Sequence, residues 1–234
     1  MKLFEDIWKI LTTAEYRGYL IEGFFNTLAI SIIAAAMGLI LGFIVAIIKV
    51  FAEDNKALKI PAAICNVYTT VFRGTPIALQ LVVLVLYVIV FPGSEVMVML
   101  LTFGLNSGAY VSESIRGGIN SVDKGQMEAG RALGLSKYKT MVKIILPQAI
   151  KNVIPSIGNE LIALVKETAI VSMIGSTIGT LTFDLNQAAA QINAQLPNYL
   201  ASGILAGLMY LAIVYGIQLL IKLFERRFAN DTNK

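Results

Sequence analysis

Residues Glu128–Pro147 read EAGRALGLSKYKTMVKIILP, a polar and helix-prone stretch between long apolar runs. Small residues come early in it, at Ala129, Gly130 and Gly134. Its basic residues are Arg131, Lys137, Lys139 and Lys143. In an otherwise apolar chain, a loop of this kind is typical of a site where another protein docks.

The composition indicates a membrane protein. Of the 234 residues, 56% are hydrophobic and 15% are charged, whereas soluble domains carry about 25% charged residues. The mean hydropathy is +0.73. The single cysteine, Cys65, excludes an internal disulfide, and histidine, the commonest general base, is absent from the sequence. This composition does not favour an enzyme.

Apolar segments predict an all-α membrane protein with five transmembrane helices. A hydrocarbon core about 30 Å thick needs roughly 20 apolar residues in a helix. The predicted spans are residues 23–50, 60–91, 95–119, 153–181 and 199–221. They form a transmembrane domain over 23–222, with a cytoplasmic loop at 120–150, an N-terminal helix at 1–22 and a tail at 223–234.

The N-terminal segment, residues 1–22, is predicted to lie on the membrane surface. Its large apolar residues recur at near-helical spacing, at Phe4, Ile7, Trp8 and Leu11. Tryptophan and long aliphatic side chains favour the interfacial depth. Charges of both signs precede the first apolar run, so a signal peptide is not indicated. We expect an anchor that contacts lipid.

The second predicted span is interrupted by Arg73, Gly74 and Pro76. Proline removes a backbone donor and kinks a helix, and arginine is costly in hydrocarbon. We therefore predict an amphipathic half over residues 60–72 and a second half over 76–91 that completes the crossing.

Basic residues indicate the orientation of the chain. The segments 49–60, 116–151 and 222–234 hold 14 of the 19 lysines and arginines, whereas 91–98 and 182–198 hold none. Because lysine and arginine accumulate on the cytoplasmic side, the three basic segments are predicted inside. Five spans then place the N-terminus outside and the C-terminus in the cytoplasm. Three basic residues near the N-terminus oppose this, but four acidic residues accompany them.

The spacing within the opening stretch carries a family resemblance. Glu128, Ala129 and Gly130 are followed after three residues by Gly134, and after nine more by an I-x-L-P sequence. This pattern resembles the EAA motif of ABC-importer permeases, in which the third position is usually alanine. Other segments resemble the polar amino-acid branch of these permeases, the histidine, glutamine and arginine type. They are FRGTPIALQL (72–81), AYVSESIRGGI (109–119), GNELIALVKETAIVSMIG (158–175) and LFERR (223–227).

The resemblance implies the ABC type I importer permease fold and a set of partners. Such a permease pairs with a second permease subunit, either the same chain or a paralogue, and with two ABC ATPase subunits that bind ATP and Mg. An extracytoplasmic amino-acid-binding protein delivers the cargo. The location implied is the bacterial cytoplasmic (inner) membrane, with lipid and no nucleic acid as a partner. No cofactor is expected on this chain, which has no G-x-x-x-x-G-K-[ST] phosphate loop.

A short helix around Glu128–Leu135 is expected to couple this chain to an ATPase. Its small residues let a partner surface approach, and Gly134 permits a sharp turn. A rigid knob of this kind passes rigid-body motion from one protein to another. The predicted coupling residues are Glu128, Ala129, Gly130, Arg131, Gly134 and Leu135.

Ionisable residues inside the fourth span mark a candidate substrate pathway, because they are expensive in a membrane. Glu160 and Glu167 lie two helical turns apart and share a face, and Asn159 and Lys166 share another. The resemblance places Gly158-Asn159-Glu160 along the translocation cavity, so Glu160 is expected to contact substrate. Lys166 and Glu167 are expected to be structural or to gate the pathway.

Other polar residues in the spans have two explanations. Arg73 either satisfies carbonyl groups freed by the helix break or binds a substrate carboxylate. Asn106 and Ser107 are further pathway candidates. Alternatively, the intramembrane charges, including Glu113, neutralise one another.

The sequence thus predicts a permease subunit that forms the pathway for a polar L-amino acid by alternating access, driven by separate ATPase subunits. A stand-alone ion-coupled amino-acid carrier or channel is the alternative, since intramembrane acids could serve proton or sodium coupling. The EAA stretch argues against that alternative, because an ion-coupled carrier needs no binding site for an ATPase subunit. The identity of the amino acid stays open.

Overall fold

The computed structural model describes residues 2–88, 95–174 and 179–230. These residues form helices and short turns, so the predicted all-α class is confirmed. The helices are α1 (Lys2–Thr12), α2 (Ala14–Phe51), α3 (Lys59–Gly74), α4 (Ile77–Val88), α5 (Glu95–Asn120), α6 (Lys124–Ala132), α7 (Lys137–Thr140), α8 (Leu146–Glu167), α9 (Leu185–Gln195) and α10 (Tyr199–Asn230). Short 3-10 segments at Lys56–Leu58 and Thr168–Ile174 and a π-helical turn at Met141–Ile145 connect some of them.

The N-terminal region departs from the sequence prediction. The segment 1–22 is not one helix, because α1 ends at Thr12 and α2 begins at Ala14. The helix of the first span is therefore longer than the predicted 23–50. Its extra turns are less apolar than the span itself, which is why hydropathy did not include them.

Two later regions also differ from the prediction. The helix of the fourth span begins at Leu146 and gives way to a 3-10 segment after Glu167, whereas the span was predicted at 153–181. The polar loop predicted at 182–198 contains helix α9. Alanines and glutamines favour a helix there, but a search for apolar runs does not find it.

The predicted interruption of the second span is confirmed, since α3 ends at Gly74 and α4 begins at Ile77. Pro76 has no N–H for the carbonyl four residues earlier, which is that of Phe72. Asn106 on α5 donates its side-chain N–H to this carbonyl at 3.1 Å. The end of the predicted span, 89–91, lies outside the described residues.

Among the described residues, α2 and the Tyr199–Arg226 part of α10 are long and apolar enough to cross a membrane. Residues Lys56–Gly74 and Ile77–Val85 add a third span when they are counted together. The other two predicted spans correspond to α5 and α8, which carry more polar residues.

The chain divides into two compact units. Unit 1 comprises Met1–Ala36, Thr75–Gly104 and Leu161–Ile217. One of its apolar clusters includes Ile10, Leu20, Leu185, Ile192 and Ala201, and a second includes Ile30, Met99, Phe103, Leu164 and Val171. Apolar faces of the helices thus form the core of this unit.

A buried carboxylate fixes the start of α9 in unit 1. Asp184 is completely buried and accepts the N–H of Gln187 at 2.9 Å, as a helix N-cap does. It also accepts the hydroxyl hydrogen of Tyr210 at 3.0 Å. Burial raises the pKa of Asp184 above the ordinary value of an aspartate, while the hydrogen bonds from Gln187 and Tyr210 oppose this rise.

Unit 2 comprises Met37–Gly74, Leu105–Glu160 and Gln218–Lys234. Its core joins apolar residues of α2, α5, α8 and the π-helical turn, among them Ala46, Val111, Ile119, Met141, Ile145 and Val153. Helices α2 and α5 approach closely at two glycines. A Cβ atom on Gly38 would lie 2.5 Å from Oγ of Ser107, and one on Gly42 would lie 2.7 Å from Cγ1 of Val111.

We predict that Asp184→Ala destabilises the protein by about 2 kcal/mol, because it removes a helix cap and leaves the Tyr210 hydroxyl without this acceptor. Asp184→Asn should lose less, since an amide oxygen can still cap the helix. Thermal unfolding of the purified variants in detergent tests this order. Equal losses for the two variants would contradict the capping role.

Candidate functional site

The polar stretch folds as two short helices joined by a turn. Asp123 caps α6 by accepting the N–H of Gly125 at 2.6 Å. Ser136 caps α7 by accepting the N–H of Lys139 at 3.3 Å. These side chains bind amide groups that would otherwise be unpaired at each helix start. A short helix is therefore present where one was expected around 128–135, but it spans Lys124–Ala132 and the last three expected residues form a turn.

A Schellman turn ends α6. The N–H of Leu135 donates to the carbonyl of Gly130 at 3.1 Å, and the N–H of Gly134 donates to that of Arg131 at 3.0 Å. Gly134 has φ +79°, in the left-handed region that glycine enters without steric cost. The guanidinium of Arg131 donates to the Leu135 carbonyl at 3.0 Å and closes the turn from outside. The sharp turn predicted at Gly134 is thus confirmed.

Gly130 departs from the EAA pattern because α6 packs directly onto Thr140. Gly130 is buried. A Cβ atom there would lie 2.5 Å from Cγ2 and 2.9 Å from Oγ1 of Thr140, closer than real Cβ contacts come. An alanine at this position therefore requires Thr140 to move.

The outer side of α6 is exposed. Glu128, Ala129 and Arg131 are exposed, and Leu133 keeps 82% of its surface accessible. Leu135, another predicted coupling residue, is half-buried. The exposed residues offer a carboxylate, a guanidinium and an apolar side chain to a partner.

Contacts with the end of α2 hold the segment in place. Lys137 forms an ion pair with Asp54, and the ring of Tyr138 lies 6.0 Å from that of Phe51. In the π-helical turn that follows, Met141 and Ile145 join the apolar core of unit 2. The α6–α7 segment is therefore attached to the rest of unit 2 at several points.

A second feature of unit 2 is a polar cavity of about 660 Å³ beside Glu113. One carboxylate oxygen of Glu113 accepts a hydrogen bond from Lys49 at 2.6 Å. The other accepts two from Arg116, at 2.7 and 3.1 Å. Arg73 lies 4.0 Å from the same oxygen. One carboxylate thus gathers three cations from α2, α3 and α5.

The structure changes the interpretation of Arg73 and its neighbours. Arg73 faces Glu113 and the ring of Tyr110, whereas Asn106 binds the carbonyl of Phe72 that the helix break frees. The expectation that Arg73 satisfies carbonyl groups freed by the break stays a prediction, and a hydrogen bond to the Phe72 carbonyl comes from Asn106. The distance from Arg73 to Glu113 supports mutual neutralisation for this pair.

The remaining pathway candidates are not among the residues that line this cavity. Ser107 is buried beside α2, and its hydroxyl has no hydrogen-bond partner among the described residues. Asn159 is exposed and Glu160 is half-buried, with an interaction inside the chain. In unit 1, Lys166 is exposed and Glu167 is half-buried.

Sequence reasoning did not single out Lys49 or Arg116. Glu113 and Arg116 are three residues apart on one helix, so their pairing could have been found from spacing. Lys49 lies 64 positions from Glu113 in the sequence, and only the packing of α2 on α5 brings the two together.

Comparisons with known proteins give a consistent result. Residues 38–230 match a family described as the binding-protein-dependent transport system inner membrane component. The arginine transport system permease protein ArtQ of Bacillus subtilis is 40% identical over 216 residues, 91% of this chain and 94% of ArtQ. GlnP of Rickettsia felis, provisionally named a glutamine transport system permease protein, is 43% identical over 212 residues, 89% of this chain and 92% of that protein.

Solved structures agree with these relatives. A chain of the crystal structure of an amino acid ABC transporter with histidines has 34% identity and a TM-score of 0.82, covering 93% of this chain and 98% of that one. A chain of the inward-facing MetNI methionine ABC transporter has 21% identity and a TM-score of 0.73, covering 92% and 99%, which supports the fold alone.

We predict that Gly130→Ala lowers the stability of the protein by about 1–3 kcal/mol, the usual range for overpacking. The second substitution Thr140→Ala should recover much of this loss, because it removes both atoms that the new Cβ would strike. Thermal unfolding of the single and double variants measures the coupling. Additive losses in the double variant would show that the two sites are not in contact.

Proposed function

The chain belongs to the binding-protein-dependent transport system inner membrane components, and we propose that it forms the membrane pathway of an ATP-driven importer of polar L-amino acids. The family is one of inner-membrane transport proteins. Relatives named for arginine and glutamine transport support the substrate class. The family match favours this function over a stand-alone ion-coupled carrier or channel.

The proposed assembly contains two copies of a permease, identical or paralogous, and two ABC ATPase subunits. ATP and Mg bind to those ATPase subunits, and an extracytoplasmic protein delivers the amino acid. When the two ATPase subunits close on ATP, the transport pathway opens to the outside. ATP hydrolysis then returns the pathway to its inward-open state. The observation that carries this proposal is the α6–α7 segment. Its outer side is exposed and its inner side is attached to unit 2, which suits a contact surface for an ATPase subunit.

We propose five spans, formed by α2, α3 with α4, α5, α8 and α10. Basic residues in the segments 49–60, 116–151 and 222–234 support a cytoplasmic position for these connections. The N-terminus is then outside and the C-terminus is in the cytoplasm. The α6–α7 segment lies within 116–151, on the side where ATP is available.

Within the pathway, Glu160 is proposed to meet the α-ammonium group of the substrate. A carboxylate that is half-buried in a span can bind an ammonium group by a charge-assisted hydrogen bond. Gly158, two residues earlier, serves packing, because a Cβ there would lie 2.4 Å from Ile221 of α10. Asn159, Lys166 and Glu167 keep their proposed positions along the same helix.

We predict that Gly134→Leu uncouples ATP hydrolysis from uptake. No atom lies within 4 Å of a Cβ at this position, so the effect comes from the left-handed backbone and amounts to about 1–2 kcal/mol of strain. Uptake per ATP hydrolysed, measured in proteoliposomes with the ATPase and binding protein, tests this. Gly134→Asn is the control, since asparagine tolerates this conformation. Normal coupling in the leucine variant would contradict the proposed role of the turn.

We predict that Glu160→Gln reduces uptake at least about tenfold, because a charged hydrogen bond contributes roughly 1.5–3 kcal/mol. The amount of assembled complex should not change. Glu225→Gln, an exposed glutamate on α10, is the matched control and should transport normally. If Glu160→Gln transports as well as this control, Glu160 does not belong to the pathway.

A further inference from the structure

An apolar groove of about 480 Å³ lies between α2 and α8 in unit 2. Among the described residues, all that line it have apolar side chains. Ala149 and Val153 are buried and form its floor. Ile40 of α2 and Ile150 of α8 are 65% and 54% exposed and form its rims. The groove is therefore an open channel with a buried floor, which can hold an apolar chain.

The groove is about as long as one leaflet of a membrane is thick. On α8 it runs from Leu146 to Ile157, which at about 1.5 Å per residue is roughly 16 Å. One leaflet supplies half of a hydrocarbon core about 30 Å thick. The next residue on this side of α8 is Glu160, three positions after Ile157, so the apolar lining stops there. The groove thus matches an acyl chain of one leaflet, whereas a membrane-spanning helix of another protein needs a longer apolar face.

A second cavity, of about 510 Å³, follows the groove toward the end of α2. Ile48 and Phe51 line it, and they share a side of α2 with Ile44 of the groove, being four and seven residues further along. Tyr138 also lines this cavity, and tyrosine favours the depth of lipid headgroups. Unlike the groove, the cavity has polar and charged residues in its wall, which include Asp54, Asn55 and Lys137. A lipid with its chain in the groove would have its headgroup at this cavity.

The two segments that border the second cavity, residues 52–59 and 136–143, are positively charged. They hold five lysines and two acidic residues, which leaves three positive charges. Lys137 in the wall pairs with Asp54. Lys139 and Lys143 are exposed and follow the wall residue Tyr138 in the sequence. Because lysines at the cytoplasmic end of a transmembrane helix attract anionic headgroups, this charge favours an anionic lipid over a zwitterionic one.

We propose that the groove and the second cavity together bind one anionic phospholipid of the cytoplasmic leaflet, with an acyl chain between α2 and α8 and the phosphate beside Lys139 and Lys143. The inference rests on the proposed spans and orientation, and it is independent of the cargo. Because Lys137 and Tyr138 of α7 line the second cavity, the lipid would contact the segment proposed to meet the ATPase subunit. Membrane composition would then act directly on that segment.

Native mass spectrometry of the purified complex of permease and ATPase subunits counts the lipids that stay bound. The delipidated complex is titrated in detergent with phosphatidylglycerol or with phosphatidylcholine that carries the same acyl chains. The wild type should bind one phosphatidylglycerol tightly per permease subunit. Its preference for phosphatidylglycerol over phosphatidylcholine should be about 25-fold, because Lys139 and Lys143 near the headgroup each contribute about fivefold.

Ile40→Trp tests the groove, because a larger side chain on this exposed rim fills the groove without crowding the core. It should weaken the binding of phosphatidylglycerol roughly tenfold, which corresponds to about two buried methylene groups of the acyl chain. Ile32→Trp is the matched control. Ile32 is 57% exposed on the same helix and does not line the groove, so this variant should bind lipid like the wild type.

The double variant Lys139→Gln, Lys143→Gln tests the headgroup contact. Its preference for phosphatidylglycerol over phosphatidylcholine should fall to near one, while phosphatidylcholine binds as it does to the wild type. The double variant Lys222→Gln, Arg226→Gln is the control for charge, since it removes two positive charges from exposed positions near the end of α10. This control should keep the preference of the wild type.

Four outcomes would overturn the lipid site. Equal binding of the two lipids by the wild type would exclude recognition of an anionic headgroup. Unchanged lipid binding in Ile40→Trp would place the lipid elsewhere. Loss of a permease subunit from the complex in Ile40→Trp would show that the groove is a contact between permease copies. Labelling of Lys59→Cys in intact cells by a membrane-impermeant maleimide would reject the proposed orientation, and with it the cytoplasmic leaflet.

Discussion

Hydrocarbon offers no hydrogen-bond partner, so each polar group within the spans of this chain has to be bound by another part of the chain or by water. The carbonyl that Pro76 leaves free on Phe72 is bound by Asn106. Glu113 is bound by Lys49 and Arg116. These pairings explain why α5 is rich in polar residues although it is expected to cross a membrane.

The same constraint applies to Arg73, which has an ionic partner but no hydrogen bond to it. Arg73 lies next to Glu113 but outside hydrogen-bond distance, while two other cations occupy both carboxylate oxygens. Glu53 is a second carboxylate in the wall of the same cavity. The cations are costly in an apolar setting, and their shared contact with Glu113 offsets part of that cost.

The α6–α7 segment depends on a different kind of constraint, the close packing of small residues. Gly134 allows the left-handed turn that ends α6, and Gly130 allows α6 to lie against Thr140. The Phe51–Tyr138 contact attaches the segment to α2, and the Lys137–Asp54 ion pair attaches it to the turn that follows α2. These attachments suit the proposed transfer of motion from an ATPase, which needs a segment that moves together with the helices it is attached to.

The sequence by itself determined the helical class, the membrane setting, the break at Gly74–Pro76, the turn at Gly134 and the transport family. The first four follow from local composition or from residues close together in the chain, whereas the family was indicated by the resemblance of residues 128–147 to the EAA motif. Helix starts such as Ala14 and Leu146 were not determined, because weakly apolar turns extend helices beyond the hydropathy signal. The grouping of Lys49, Arg73 and Glu113, the burial of Gly130 and the pairing of Asn106 with Phe72 were decided only by tertiary structure. They join residues distant in sequence, and hydropathy does not specify which helices pack together or in which register.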